Sequence, residues 1–434
     1  MVGVVGSSPI APTKSVHPTV PEVIAACLFA IAIAHTFGAA MVDRLGERYP
    51  RHRGLFELLG EVEIVFGLWA FVLVVALFAT VGSVQAIAYV ESRNFTEPLF
   101  VFAVMVVAGS RPIIGFAKAL VRLGTRALPV PAPLASLFLS LSLLPLLGSV
   151  ITEPAAMTVA ALLLRDQVFH ARASERLRYA TIGVLFVNVS IGGALTPYAA
   201  PPVLMVASAW GWDLAFMLQT FGWRVGLAIA VNAAVVTAMF SREILAFGSL
   251  PPASAPERLA PASVVASLAV LAGIVTVAHH PPLFLGLLLG FIGYATAYPA
   301  HHDRLLLREA MLVALFLAGL VVLGGLQAWW LRPTLEALSP TSAYYGATAL
   351  TAVTDNAAIT YLASQVDGLS DAFKAAIVAG ALTGGGLTVI ANAPNPAGFS
   401  ILRDGFPGGA IGAGRLLLAA LLPTLVAIAA FRLI

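Results

Sequence analysis

Long stretches of this chain contain no Lys, Arg, Asp or Glu: Val23–Val42, Ile64–Val90, Ala127–Thr152, Tyr179–Trp212, Val225–Ser241, Leu259–His302, Ala310–Leu331, Ala375–Leu402 and Leu416–Phe431. Most reach the roughly 17–25 apolar residues that an α-helix needs to cross a bilayer, and Leu259–His302 is long enough for two crossings. The composition, 59% hydrophobic and 10% charged, excludes a water-soluble fold, since ordinary soluble domains carry about a quarter charged residues. The fold class expected is therefore an all-α polytopic membrane protein.

The net charge of +3 comes from scattered arginines and not from a basic patch, so nucleic-acid binding has no support. The single Cys27 excludes a disulfide within one chain and a cysteine metal cluster. Residues 1–21 lack the apolar run of a cleavable signal and read as a short tail.

Apolar segments predict helices near 22–42, 62–84, 97–117, 179–208, 221–240, 262–279, 282–299, 309–330, 374–402 and 414–433, with two further segments at 134–164 and 341–364. If those two are re-entrant hairpins, the loops 43–60, 118–133, 165–178, 241–261, 300–308 and 403–413 share one face and collect most of the 24 basic residues. The positive-inside rule then places that face in the cytoplasm and both termini outside.

The two halves share motifs. Thr152-Glu153-Pro154-Ala155-Ala156 matches Thr354-Asp355-Asn356-Ala357-Ala358, and Gly193-Ala194-Leu195-Thr196-Pro197 matches Gly385-Gly386-Leu387-Thr388-Val389. A first repeat, 22–245, reads as scaffold helices 22–117, hairpin 134–164, broken helix 179–208 and closing helix 221–240. A linker, 246–261, leads to a second repeat, 262–434, with scaffold helices 262–330, hairpin 341–364, broken helix 374–402 and closing helix 414–433. Five crossings per half is an odd number, so the repeats are expected to be inverted, about ten transmembrane helices plus two hairpins, with the helix breaks near the midplane.

Glu153 is the only charge between Arg126 and Arg165, and Asp355 the only one between Glu336 and Asp367. A carboxylate at membrane depth costs a few kcal/mol or more, which points to ion or proton binding. Both acids could also simply start helices, with Thr354 or Asp355 as an N-cap and Pro154 at the first helical position; capping and ion binding are compatible. Gly192, Gly193 and Pro197, then Gly385 and Gly386, would break helices within the membrane, and Pro202 and Pro394 keep the backbone beyond them unwound. Close helix packing is the competing explanation for the glycines. Freed carbonyls there, with Thr152, Asn188, Thr196, Thr354, Asn356, Thr388, Asn392 and Asn395, supply hard oxygen donors suited to an alkali cation. No nucleophile–base set lies inside the helices, so no enzyme is expected, and no cofactor. Asn232 and Gln327 read as interhelical hydrogen-bonders, and Trp210, Trp212, Trp223, Trp329 and Trp330 as an aromatic belt.

Two hairpins with a Thr-acid-(Pro/Asn)-Ala-Ala tip, each followed by a Gly-Gly…Thr broken helix, resemble the ion transporter superfamily. Thr354-Asp355-Asn356-Ala357 looks like the Asp-Asn hairpin of its NhaD-type sodium/proton antiporters, and Asn188 with Gly192-Gly193-Ala194 and Thr196-Pro197 is similar to a segment of the same group. Glu153-Pro154 departs from the Asp-Asn form, and Ala200-Pro201 stands near where these antiporters often carry Gly-Asp, so the resemblance weights Asp355 above Glu153. It implies Na⁺ or Li⁺ exchange for H⁺ in a plasma (cell inner) membrane, a homodimer in the lipid bilayer, and an elevator-like movement of hairpins and broken helices. A sodium-coupled dicarboxylate symporter or an arsenite-type anion transporter shares that fold and stays open as the alternative, although an acid at each tip would repel an anion.

Overall fold

The computed structural model describes residues 17–170, 172–247 and 259–433, all helices and connecting turns, with no strand among the described residues. Residues 1–16 of the expected tail and 248–258 of the expected linker lie outside them. Among the described residues, seven helices are long and apolar enough to cross a membrane, or eight if the pair Thr96–Ala108 and Arg111–Ala127, bent by 66°, is one span. With this helix content the chain is an all-α, multi-pass membrane protein. Two expected crossings, Pro261–Thr276 and Pro281–Ala297, form as apolar helices of 16 and 17 residues, just under membrane length. The first arm of the expected first hairpin, Ala132–Ile151, is itself a 20-residue apolar stretch.

Local chemistry sets the helix starts. Thr19 accepts from the Glu22 amide while the Glu22 carboxylate accepts from the Thr19 amide (2.7 Å), a capping box that opens the helix Val20–Arg48. Proline occupies the first turn of Arg111–Ala127, Pro201–Trp210 and Pro281–Ala297, where a missing N–H costs nothing.

The chain packs as two compact units, and each draws on both halves of the sequence. One holds the described residues through Phe102, Arg308–Ser339 and Tyr361–Asp371. Here Val62–Val81 meets Leu307–Gly324 so closely that a Cβ on Gly319 would overlap the Phe66–Gly67 backbone. Phe66 sits edge-on between Phe29 and Phe316, with centroids 5.7 and 5.1 Å apart. Small residues that let backbones approach carry helix association in lipid, where no hydrophobic force separates protein from tails. Gly319→Leu is therefore expected to lower stability by about 1–3 kcal/mol, read as a drop in thermal midpoint in detergent.

The second unit holds Ala103–Leu307, Pro340–Thr360 and the residues from Ala372 on. The sequence motifs singled out above all fall in it. Trp212, expected in an aromatic belt, is instead buried, stacked on Phe216 (4.6 Å) and tilted against Phe221 (5.7 Å).

Candidate cation site

The first acid stands at a helix break. The helix Leu143–Ile151 cannot run on through Pro154, which has no N–H and whose ring would strike the Val150 carbonyl. The chain turns at Thr152, where φ is 74° and ψ 150°, the one non-glycine with positive φ among the described residues. Such a conformation costs of order 1–3 kcal/mol and persists only where the surroundings impose it. Glu153 then opens the helix Glu153–Val168 and is completely buried, yet no side chain caps that helix start.

The second acid differs. Pro340–Thr351 and Asn356–Ser364 are separated by a short turn, and the Asp355 carboxylate accepts the Ala357 N–H at 2.7 Å. Asp355 thus caps its helix, whereas the Glu153 carboxylate is not used as a cap.

Both expected helix breaks form. Glu175–Gly192 gives way to a 3₁₀ turn at Gly193–Leu195, and the helix resumes at Pro201–Trp210. Asp371–Gly384 stops at the glycine run, and the helix resumes at Asn395–Leu402. Two glycines are fixed by contact. A Cβ on Gly193 would collide with the Glu153 carboxylate, and one on Gly385 with the Ser190 hydroxyl while standing 2.9 Å from the Asn356 amide nitrogen. Close packing, offered above as the alternative to a functional break, holds at both glycines, at Gly193 against an acid and at Gly385 against Ser190 and Asn356.

The unwound stretch of the second half reaches the acid of the first: Asn392 Nδ2 donates to Glu153 Oε2 at 2.8 Å. Asn356, next to Asp355 in the chain, stands against Gly385, whose carbonyl accepts from Asn395. Asn395 Nδ2 donates to the carbonyls of Gly385 and Thr388, both at 2.8 Å. Around this chain of contacts, Glu153 Oε1, Thr152 Oγ1, Asn392 Oδ1, Asn395 Oδ1 and both amide atoms of Asn356 are buried without a hydrogen-bond partner. Buried polar atoms are ordinarily paired, so several orphaned oxygens in one place call for a ligand. A buried carboxylate oxygen needs a positive partner, either a cation or a proton of its own. The donors are carboxylate, amide and hydroxyl oxygens, and no group of three or more His, Cys, Asp or Glu occurs among the described residues. Such hard ligands suit an alkali cation better than a transition metal.

Other expected site residues lie in bracing roles. The Asn188 amide donates to the carbonyls of Leu141 (2.7 Å) and Ile229 (3.3 Å) and accepts from Asn232 (2.9 Å). Thr196 donates to the Ser149 carbonyl and Thr388 to the Ala352 carbonyl, at 2.7 and 2.9 Å. In each half, then, the Thr after the glycine pair ties the broken helix to the end of the helix before the acid, Leu143–Ile151 or Pro340–Thr351. Thr354 closes a turn, its N–H on the Thr351 carbonyl. Sequence reasoning missed Ser149 and Ser190. Ser149 Oγ accepts from the Leu195 N–H and donates to the Gly192 carbonyl, while Ser190 Oγ donates to the Leu382 carbonyl and so joins the two broken helices. The available signal was a lone serine in an apolar run, within a turn of an acid or a glycine pair.

A buried acid and uncommitted amide oxygens thus stand at paired helix breaks on a multi-pass helical membrane chain. The sequence pattern of the family described as "Putative Na+/H+ antiporter" matches residues 21–434, and the chain belongs to that family. A search of the curated proteins found no match. Membership bears out the coarser expectation, a cation/proton antiporter whose ligands are the transported ions.

Proposed function

We propose that this chain exchanges Na⁺ or Li⁺ for H⁺ by alternating access, with Glu153 and Asp355 taking the cation and protons in turn. The observation that carries the reading is Glu153: completely buried, one carboxylate oxygen held by Asn392 and the other unpartnered beside further orphaned amide oxygens. One carboxylate serving both ions makes their occupancy mutually exclusive, which couples the two fluxes without covalent chemistry. The apparent affinity for Na⁺ should therefore fall as pH falls.

On this reading Asp355, Asn356, Asn392, Asn395 and Thr152 complete the ligand shell, while Asn188, Thr196 and Thr388 hold the hairpins against the broken helices. The motif pairs and the matching order of helices in the two halves support inverted repeats within the ion transporter superfamily, close to its NhaD-type branch. The same resemblance supports an elevator-like displacement of the site, a homodimer and plasma-membrane insertion, and the loop charges support both termini outside. The acids leave the anion-symport alternative without support, since an anionic substrate would meet Glu153 and Asp355 before any basic group among the motifs.

Everted vesicles holding an imposed proton gradient provide the test. Na⁺ or Li⁺ should dissipate the gradient, and Asp355→Asn should reduce the rate at least about tenfold, since a charge is lost from the shell while the Asn can still accept the Ala357 N–H. Na⁺-dependent uptake of labelled succinate, with no effect of Na⁺ on the gradient, would overturn the antiport reading.

A further inference from the structure

A groove of about 730 Å³ runs along the second unit among the helices Glu175–Gly192, Trp223–Met239 and Ala413–Arg432, and none of the proposed cation ligands lines it. Val184, Met239, Leu418, Leu422 and Val426 give it long apolar walls, and Met239, Leu418 and Leu422 are largely exposed. One end is polar and carries Glu175, Arg176, Tyr179 and Arg415.

That rim is built. Tyr179 OH accepts the Gly412 N–H at 2.9 Å, which fixes the start of the helix bearing Arg415, and the Arg415 guanidinium lies 5.9 Å from the Tyr179 ring centre while pairing with Glu175. Arg176 is exposed beside it. With two arginines against one glutamate, the end of an apolar groove is left net positive. The floor is polar too: Asn232 donates to the Asn188 oxygen and to the Pro423 carbonyl, so an occupant would lie across the joint of all three helices.

We propose that this groove is a binding site for an anionic phospholipid, its phosphate held by Arg176 and Arg415 and an acyl chain laid along Val184, Leu418, Leu422 and Val426. Charge complementarity selects this occupant. A neutral apolar chain makes no use of the rim, and a soluble anion makes no use of the walls. Basic pockets between transmembrane helices characteristically take anionic head groups.

The test uses the purified full-length protein in detergent, with phosphatidylglycerol or phosphatidylcholine added. Phosphatidylglycerol should raise the thermal midpoint and bind in native mass spectrometry where phosphatidylcholine does neither. Arg176→Gln with Arg415→Gln should weaken phosphatidylglycerol binding roughly tenfold or more. Ala180→Trp, which fills the groove without touching its charge, should abolish the shift while the protein stays folded. Glu175→Gln, which frees Arg415, should keep or strengthen it. Equal responses to the two lipids, or an arginine variant that binds phosphatidylglycerol as tightly as the wild type, would overturn the assignment. So would a change of oligomeric state in Ala180→Trp with lipid binding intact, which would make the groove an interface between copies.

Discussion

Glu153→Gln is expected to abolish cation-dependent dissipation of a proton gradient, a loss of roughly 100-fold or more, while leaving the protein as stable as before or more so. The two halves of that expectation have separate causes. Glutamine keeps the size of the side chain and can still accept from Asn392, but it carries no charge to exchange between a cation and a proton. Removing one partner of a buried charge pair costs about 3–5 kcal/mol of interaction, which here is interaction with the transported ion and falls on transport. Folding gains, because a neutral amide is easier to bury than a carboxylate with one oxygen unpartnered. If Glu153 were only structural, the order would reverse, with a lowered thermal midpoint and exchange falling only as far as the folded fraction. Everted-vesicle assays alongside thermal unfolding of the same preparations separate the two.

Gly193→Ala should damage both folding and exchange. The added Cβ would occupy space held by the Glu153 carboxylate and lie within 2.9 Å of the Ala200 Cβ. Neither neighbour has room to move, since Glu153 is tied to Asn392 and Ala200 is fully buried at the foot of the next helix. Overpacking of this kind costs about 1–3 kcal/mol, and relief by swinging the carboxylate away would take it from its amide partner. The expected result is a lower midpoint and a raised apparent KM for Na⁺ in whatever folded protein remains. Gly226→Ala, at a helix position with open space around the glycine, is the control and should leave both unchanged. An alanine at 193 tolerated like the one at 226 would show that the close approach to Glu153 does not matter for transport.

The two acids also exchange emphasis. The motif resemblance favours Asp355, because Asp355-Asn356 keeps the antiporter-like form. In the structure, Asp355 gives one oxygen to the Ala357 N–H, while Glu153 lies deeper and faces the orphaned amides. A motif records which residue types stand in order along the chain; which lone pairs remain uncommitted depends on what folds against them. That is why Asn188, which reads from sequence as a cation ligand, has both amide protons and one lone pair of its oxygen engaged by Leu141, Ile229 and Asn232, three partners brought to it by two other helices.

The class of fold and the ingredients of the site were legible in the order of residues. Charge-free stretches of membrane length admit little but helices, because an unpaired backbone group in lipid is too costly. Proline and glycine stop helices through local sterics that need no tertiary partner, so the breaks at Thr152, Gly193 and Gly384 were legible. How the pieces combine depends on packing: Asn392 of one half grips Glu153 of the other, Ser190 joins the two broken helices, and Trp212 is buried rather than in a belt. These are contacts between residues far apart in the chain, fixed by close packing of helices whose facing sides carry no periodic signal in a span that is apolar all round.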